Sequence, residues 1–487
     1  MMRSAFLLAL LCGLAALCLW RAGVAEPLTA KNIPAEAPTV CGFAQGEMAP
    51  LQPLVELLGA TMTKDAGVIT VTRQGKTCIL TVGKTEAQDN GQAVTLPAPP
   101  LAVGESLFVP LQPLAKALGL TCMVNKASGV VNLKYETGTL VLPYESMVTA
   151  DGGKTKPLAA SDYRDCEEQL FVMNADGSEV HRLTYRVFGV RLPDFSADGQ
   201  KWAYLRSPLF FPLGSVFARE AGSPISTCLR MSDSAGGVHF CQDAAISPDG
   251  ATVLYSEASQ VPEGAEGDPS CNIFSIPFSG GTPKKLVQGI SPSFSPDGHT
   301  VVFSGFDMAK KESVVTLMDP DGKNQRVIGQ GDMAQFSPDG TYLLFYRSYV
   351  KGEDPQQCIT TCKLAAKMRD VKVYEAPKDQ RDTDELDAVF TPDSQHILFV
   401  RKDKGLWMMN PDRGKPRQLT TGTTDHNPTC LPDGKHVLFL RDNHLYQMTI
   451  NGTDITPLLA NLDIHAAKPS PDGKLIFFLV QPQGTGE

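Results

Sequence analysis

Seven times between residues 195 and 473 the chain repeats one short phrase: a hydrophobic residue, Ser-Pro-Asp-Gly or a close variant, then a β-run. Counted on the aspartate, the copies are Asp198, Asp249, Asp297, Asp339, Asp393, Asp433 and Asp472. A period of roughly 40–50 residues with turn chemistry at a fixed place signals a propeller or a solenoid. Each copy is preceded by a short run such as AQF at 334–336 and followed by one such as TYLLFY at 341–346. Strand, tight turn, strand is the natural reading, with Pro, Asp and Gly at turn positions that suit each of them.

Between copies lies a second hairpin, at 170–177, 315–322, 406–412 and 445–452. Four strands per repeat make one propeller blade. Six repeats are complete, with an opening half at 170–183 and a closing half at 468–480. Joined, the halves make a seventh blade and leave no free sheet edge. Over residues 165–482 these repeats resemble the TolB-type propeller, whose repeats are WD-like. Seven blades are favoured here, with six, the number that family resembles, as the alternative.

The region before the propeller carries its own repeat. MAPLQPLVELLG at 48–59 recurs as FVPLQPLAKALG at 108–119, and each copy runs into strand-like sequence, GVITVT at 67–72 and GVVNLK at 129–134. Pro in the first turn, apolar residues three and four apart and a Gly stop predict a short amphipathic helix followed by a hairpin. Together with NGQAVTLPAPP at 90–100, the pattern over residues 40–137 resembles the copper amine oxidase N-terminal domain family. That resemblance implies an accessory or stalk module, common in bacterial envelope proteins, and no copper. Residues 26–137 contain no histidine, so the usual imidazole ligands are missing there.

The expected fold class is therefore multidomain, a small α+β module followed by an all-β propeller. Residues 1–25 read as a secretory leader: Arg3, an apolar stretch over 5–20, and Gly23-Val24-Ala25 as the cleavage site. The expected division is a leader over 1–25, the α+β module over 26–145, a linker over 146–164, the propeller over 165–482 and a tail over 483–487. The apolar stretch falls short of the roughly 20 residues that span a bilayer, so no transmembrane span is expected after cleavage. The formal charge of −9 becomes −11 when Arg3 and Arg21 leave with the leader. Such acidity argues against nucleic acid or an anionic membrane as partner. Ten of the twelve cysteines lie after the leader, an even number in a compartment that permits disulfides. Cys228 with Cys241, across a hairpin, and Cys358 with Cys362, within an insertion, are the locally plausible pairs.

Chemistry has to be sought apart from the fold. The chain has no Gly-x-Ser-x-Gly elbow, no His-Glu-x-x-His and no hydrolase-sized segment after Val480. Its eight histidines, all after residue 180, are scattered, and the Asp319-Pro-Asp321 turn lacks the spacing and closing glutamate of a calcium loop. No enzyme activity, cofactor or metal is expected. Differences between repeats are more informative: eight positions after each signature aspartate stand Arg206, Glu257, Gly305, Arg347, Arg401, Arg441 and Val480. Four arginines at one structural position suggest a rim that receives carboxylates of a partner. Insertions at 207–227, 258–270 and 348–370 lie on the same side, the first holding an apolar cluster with Phe210 and Phe211. The expectation is a periplasmic or secreted envelope protein whose propeller binds a protein or peptide partner. The alternatives are a hydrolase or lyase acting on an envelope polymer in the central channel, and a structural scaffold.

Overall fold

The computed structural model describes residues 29–481, apart from 39, 104–105, 127–129, 136–137, 147, 152–153, 158–167, 185–188, 208–213, 231–237, 261–269, 352–353, 365–371 and 378–383. Residues 1–25, expected to form a leader, and Phe210 and Phe211 lie outside the described residues.

Each signature phrase closes the first hairpin of an antiparallel sheet. In six copies the hydroxyl two positions before the aspartate donates to its Oδ1 at 2.5–2.6 Å: Ser196, Ser247, Ser295, Ser337, Thr391 and Ser470. In the Asp433 copy that residue is Leu431, and His436 Nδ1 bonds the carboxylate instead at 2.6 Å. These serine hydroxyls, then the amide two positions on, hold Asp198, Asp249 and Asp297 below the usual carboxylate range. The glycine that follows takes φ of 66° to 72° in six copies, the left-handed region a Cβ disfavours. At Gly473 a Cβ would also stand 3.2 Å from Pro432 of the preceding turn.

Seven such sheets follow one another, numbered here as blades I to VII. Blade I holds Gly189–Val190, Asp194–Phe195, Lys201–Ser207, Ser215–Glu220 and Ser226–Arg230, and blade II Val238–Ile246, Thr252–Gln260, Ser270–Pro277 and Lys284–Gln288. Blade III holds Ile290–Phe294, Val301–Asp307, Glu312–Met318 and Arg326–Gln330, and blade IV Asp332–Phe336, Tyr342–Lys351, Asp354–Lys363 and Lys372–Tyr374. Blade V holds Glu385–Phe390, Ile397–Arg401, Gly405–Met409 and Arg417–Gln418, and blade VI His426–Cys430, His436–Arg441, His444–Thr449 and Thr456–Leu459. Blade VII is built from both ends of the repeat region: Ile464–Pro469 and Leu475–Val480 pair with Gln169–Asn174 and His181–Arg182. The join runs antiparallel from Gln169 opposite Val480 to Asn174 opposite Leu475. The fold is thus a seven-bladed propeller closed by its two half-repeats.

The two repeated segments before the propeller form helices α1 (Leu51–Leu57) and α2 (Leu111–Ala117). Leu51, Leu54 and Val55 of α1 and Leu111, Leu114 and Ala115 of α2 are buried in one core with Ile69, Val71, Val131 and Leu133. A five-stranded sheet (Thr61–Asp65 to Gln92–Thr95) and a seven-stranded sheet surround them, the latter pairing Val40–Phe43 parallel to Gly138–Ser146. Where the sequence reads as linker, Val148–Asp151 and Lys154–Pro157 pair as a hairpin.

One connection is absent from the sequence reading. Residues 29–37 form a strap laid over blades VII and I. Ala30 N donates to Asn174 Oδ1 at 2.9 Å, His181 Nε2 to Ile33 O at 3.0 Å, and Glu36 N to Leu183 O at 2.7 Å. Ala30 and Ile33 share a buried cluster with Leu170, Val172 and Leu183 of blade VII and Val190 and Trp202 of blade I. The Glu36 carboxylate, 2% exposed, takes Arg206, Tyr204 and Ser226 of blade I.

One cysteine pairing is excluded, and the setting of the other differs from the expected hairpin. Cys358 and Cys362 stand four positions apart on one strand. That puts their Cα atoms about 13 Å apart at about 3.3 Å per residue, beyond the roughly 4.4–6.8 Å a disulfide spans. Cys228 and Cys241 do not face each other across a hairpin; they lie on the last strand of blade I and the first of blade II. The third insertion is largely ordered hairpin, with Tyr342–Lys351 paired to Asp354–Lys363 throughout.

Candidate functional site

Innermost strands run from an upper face down to the signature turns. Side chains tie neighbouring blades together at all seven junctions, six times between innermost strands and once, between blades III and IV, from the second strand to the innermost one. Asp194 Oδ2 accepts Ile246 N (3.1 Å), Asp243 Oδ2 accepts Ser291 N (3.2 Å), and Ser304 Oγ accepts Met333 N (3.0 Å). Gln335 Nε2 donates to Ala388 O (2.7 Å), Asp387 Oδ2 accepts Asn427 N (2.9 Å), and Asn427 Oδ1 accepts Ala467 N (3.2 Å). Lys468 Nζ closes the circle on Asp194 Oδ1 at 3.1 Å. Five inner-edge amides are thereby paired without a further strand, and the upper face stands on a fixed base.

Arg401 and Arg441 end their strands at that face, Arg206 and Arg347 stand at the aligned position in longer ones, and each of the four meets a carboxylate of this chain. Arg441 binds Asp425 through Nε (2.6 Å) and Nη2 (2.9 Å), and Arg401 reaches Glu385 at 3.5 Å. In both blades the acid precedes the arginine by the same interval, at the head of the innermost strand of the same sheet. Gly331 occupies that position in blade IV, and Arg347 turns to Glu375 and to Gln330 (2.9 Å). Val190 occupies it in blade I, and Arg206 takes Glu36 of the strap. Glu257, at the aligned position in blade II, pairs with Arg230 of blade I at 2.5 Å. Arg206 is buried, while Arg347, Arg401 and Arg441 keep side-chain exposures of 20%, 15% and 28%. A partner's carboxylate arriving there meets guanidinium groups that already hold an internal one.

A different group stands exposed on the same face. Phe306, at the end of the second strand of blade III, is 56% exposed, Met308 in the following turn 77%, and Met333 on the innermost strand of blade IV 59%. Two bonds set them side by side. Ser313, the strand partner of Phe306, accepts Gly331 N at 3.0 Å, and Ser304, two positions before Phe306, accepts Met333 N. Met333 has φ 52° at the strand bulge. Sequence reasoning missed these residues, although the repeat alignment held a signal. Nine positions after the signature aspartate the other blades have Ser207, Ala258, Ser348, Lys402, Asp442 and Gln481 where blade III has Phe306. Large apolar side chains clustered at solvent mark interaction surfaces.

The α+β module contains a cleft of about 810 Å³ lined by Glu47, Cys78, Asp89, Gln112, Lys116 and Cys122 among others. Burial, then the carboxylates Asp89 and Glu47, push the two thiols up to about 11. They stay protonated at neutral pH and offer no thiolate nucleophile. Among the described residues no group of three His, Cys, Asp or Glu side chains is placed to hold a metal ion, and no helix is long and apolar enough to cross a membrane.

Residues 31–159 match the family model of the copper amine oxidase N-terminal domain. No curated protein matches the chain. Solved structures similar to it include TolB from Acinetobacter baumannii, 12% identical with a TM-score of 0.33, covering 87% of this chain and 79% of that one. Oligogalacturonate lyase from Vibrio parahaemolyticus is 14% identical with a TM-score of 0.44, covering 75% and 97%. Prolyl oligopeptidase B from Galerina marginata is 11% identical with a TM-score of 0.45, covering 60% of this chain and 47% of that one. The expectation that the chain is not an enzyme is corrected here. A lyase and a peptidase stand among its likenesses, so the architecture does not exclude catalysis; at these identities and TM-scores it does not establish it either.

Proposed function

We propose that the propeller recognises a protein segment on its upper face, at the junction of blades III and IV, in a protein exported to the cell envelope or beyond it. The exposed cluster of Phe306, Met308 and Met333 carries this reading. Aromatic and methionine side chains are enriched at interfaces and supply most of their binding energy when desolvated by a partner. Binding residues sit on loops and strand ends held by a rigid scaffold, and the seven junction bonds and the paired arginines supply that scaffold here. In this role Arg347, Arg401 and Arg441 keep the rim in shape, and their exposed parts lie around the docked segment. The leader-like segment at 1–25 supports export.

Peptides selected from a displayed random library on the immobilised full chain test the proposal. The triple variant Phe306→Ser, Met308→Ser, Met333→Ser, with an unchanged melting temperature, is expected to lose tenfold or more in affinity, since each buried anchor contributes about 1–2 kcal/mol. Selected peptides that bind the triple variant as well as the parent would refute the assignment.

A further inference from the structure

Beside the apolar cluster lies a carboxylate that the fold does not use. Asp332 heads the innermost strand of blade IV, directly before Met333 and opposite Tyr346. It is half-buried, and among the described residues its carboxylate makes no hydrogen bond or ion pair. Burial raises its pKa from the ordinary carboxylate value. Other acids at this level are engaged: Glu385 by Arg401 and Arg413, Asp425 by Arg441, Glu375 by Arg347, and Asp387 by the amide of Asn427. Two nearby cations are engaged too. Arg347, the residue after Tyr346, is held by Gln330 and Glu375, and Lys310 lies 3.5 Å from Asp307 and 3.6 Å from Glu312.

A carboxylate drawn partly out of water without a partner is unfavourable, and a cation brought against it recovers that free energy. We infer that the junction of blades III and IV docks a protein segment that sets an arginine or lysine against Asp332 and apolar side chains against Phe306, Met308 and Met333. This inference rests on the recognition role proposed above and narrows its ligand. The apolar side chains exclude water around the pair, which strengthens it, and guanidinium meets a carboxylate with two parallel hydrogen bonds. A segment with glutamate at the same place would bring like charge against Asp332 and be rejected.

Two synthetic peptides with the same leucine and phenylalanine positions, one carrying arginines between them and the other glutamates, are titrated against the full chain by fluorescence anisotropy. The parent is expected to prefer the arginine peptide. Asp332→Asn, close in size and with no internal partner to lose, is expected to keep the melting temperature and weaken that peptide by about tenfold or more, the loss of one charge-assisted hydrogen bond. Equal affinity for the two peptides, or an unchanged preference in Asp332→Asn while the triple serine variant abolishes binding, overturns the assignment of Asp332 and leaves the recognition role standing. Failure of both peptides, with no effect of the triple serine variant on library-selected binders, overturns both.

Discussion

Replacing Glu385 by alanine is expected to destabilise the propeller by about 3–5 kcal/mol, the usual cost of breaking a buried ion pair from one side. Glu385 is fully buried at the head of the innermost strand of blade V. Its two oxygens take Arg413 at 2.9 and 3.0 Å, Arg401 at 3.5 Å and the amide of Ile359 in blade IV at 3.1 Å. Truncation leaves two guanidinium groups, one of them with a side chain only 4% exposed, facing a cavity. The effect is large against the roughly 5–15 kcal/mol by which domains are stable. It is read from the propeller's own transition in urea. A second variant separates charge from packing: Glu385→Leu with Arg413→Leu is expected to recover most of the loss, because a buried pair exchanged for apolar side chains is often near neutral. A loss below about 1 kcal/mol in Glu385→Ala, the range of a surface pair, would show that the carboxylate is not structural.

Glu36→Ala is expected to cost a similar amount, about 3–5 kcal/mol by the same argument, with a different distribution. The carboxylate is the charged contact of the strap with blade I, beside bonds at Pro34 and Ala37, and it accepts from Arg206, Tyr204 and Ser226 together. Glu36→Gln keeps acceptor capacity and loses the charge, so it should fall between the parent and alanine. Because the strap also bonds Asn174, His181 and Leu183, its release should raise amide exchange first in Gln169–Asn174, where the two half-repeats join. Uniform exchange across all seven blades would mean that the strap contributes bulk stability and does not fasten the closure.

The blades were legible because their information is local and repeated. Ser-Pro-Asp-Gly places a hydroxyl, a fixed φ, a carboxylate and a left-handed residue in order, and the turn follows from those four residues alone. The closure was legible for a related reason, since residues 170–183 and 468–480 are each half of a unit that is incomplete without the other. The strap was not legible, because residues 29–37 have no periodicity and Glu36 finds its meaning only far along the chain, at Arg206. The aligned arginines share one register position that the repeat spacing shows, whereas the acids they meet come from different places in the chain. Glu385 and Asp425, each at the same interval ahead of its arginine, were visible in the alignment, while Glu375 and Glu36 required the fold. The candidate site was hidden differently: Phe306 ends a strand-like run and Met333 stands in the first strand of its repeat, where a core residue is the ordinary reading, and the bulge at Met333 and the strand end at Phe306 turn them to solvent.

The central claim, that a protein segment docks on the upper face between blades III and IV, is tested most directly by hydrogen–deuterium exchange of the full chain with and without a selected peptide. Slowed exchange confined to the Val301–Asp307 strand end, the turn that follows it and the Asp332–Phe336 strand is the predicted result. Protection at the signature turns on the opposite face, or in the cleft of the α+β module, with none at these segments, would contradict it.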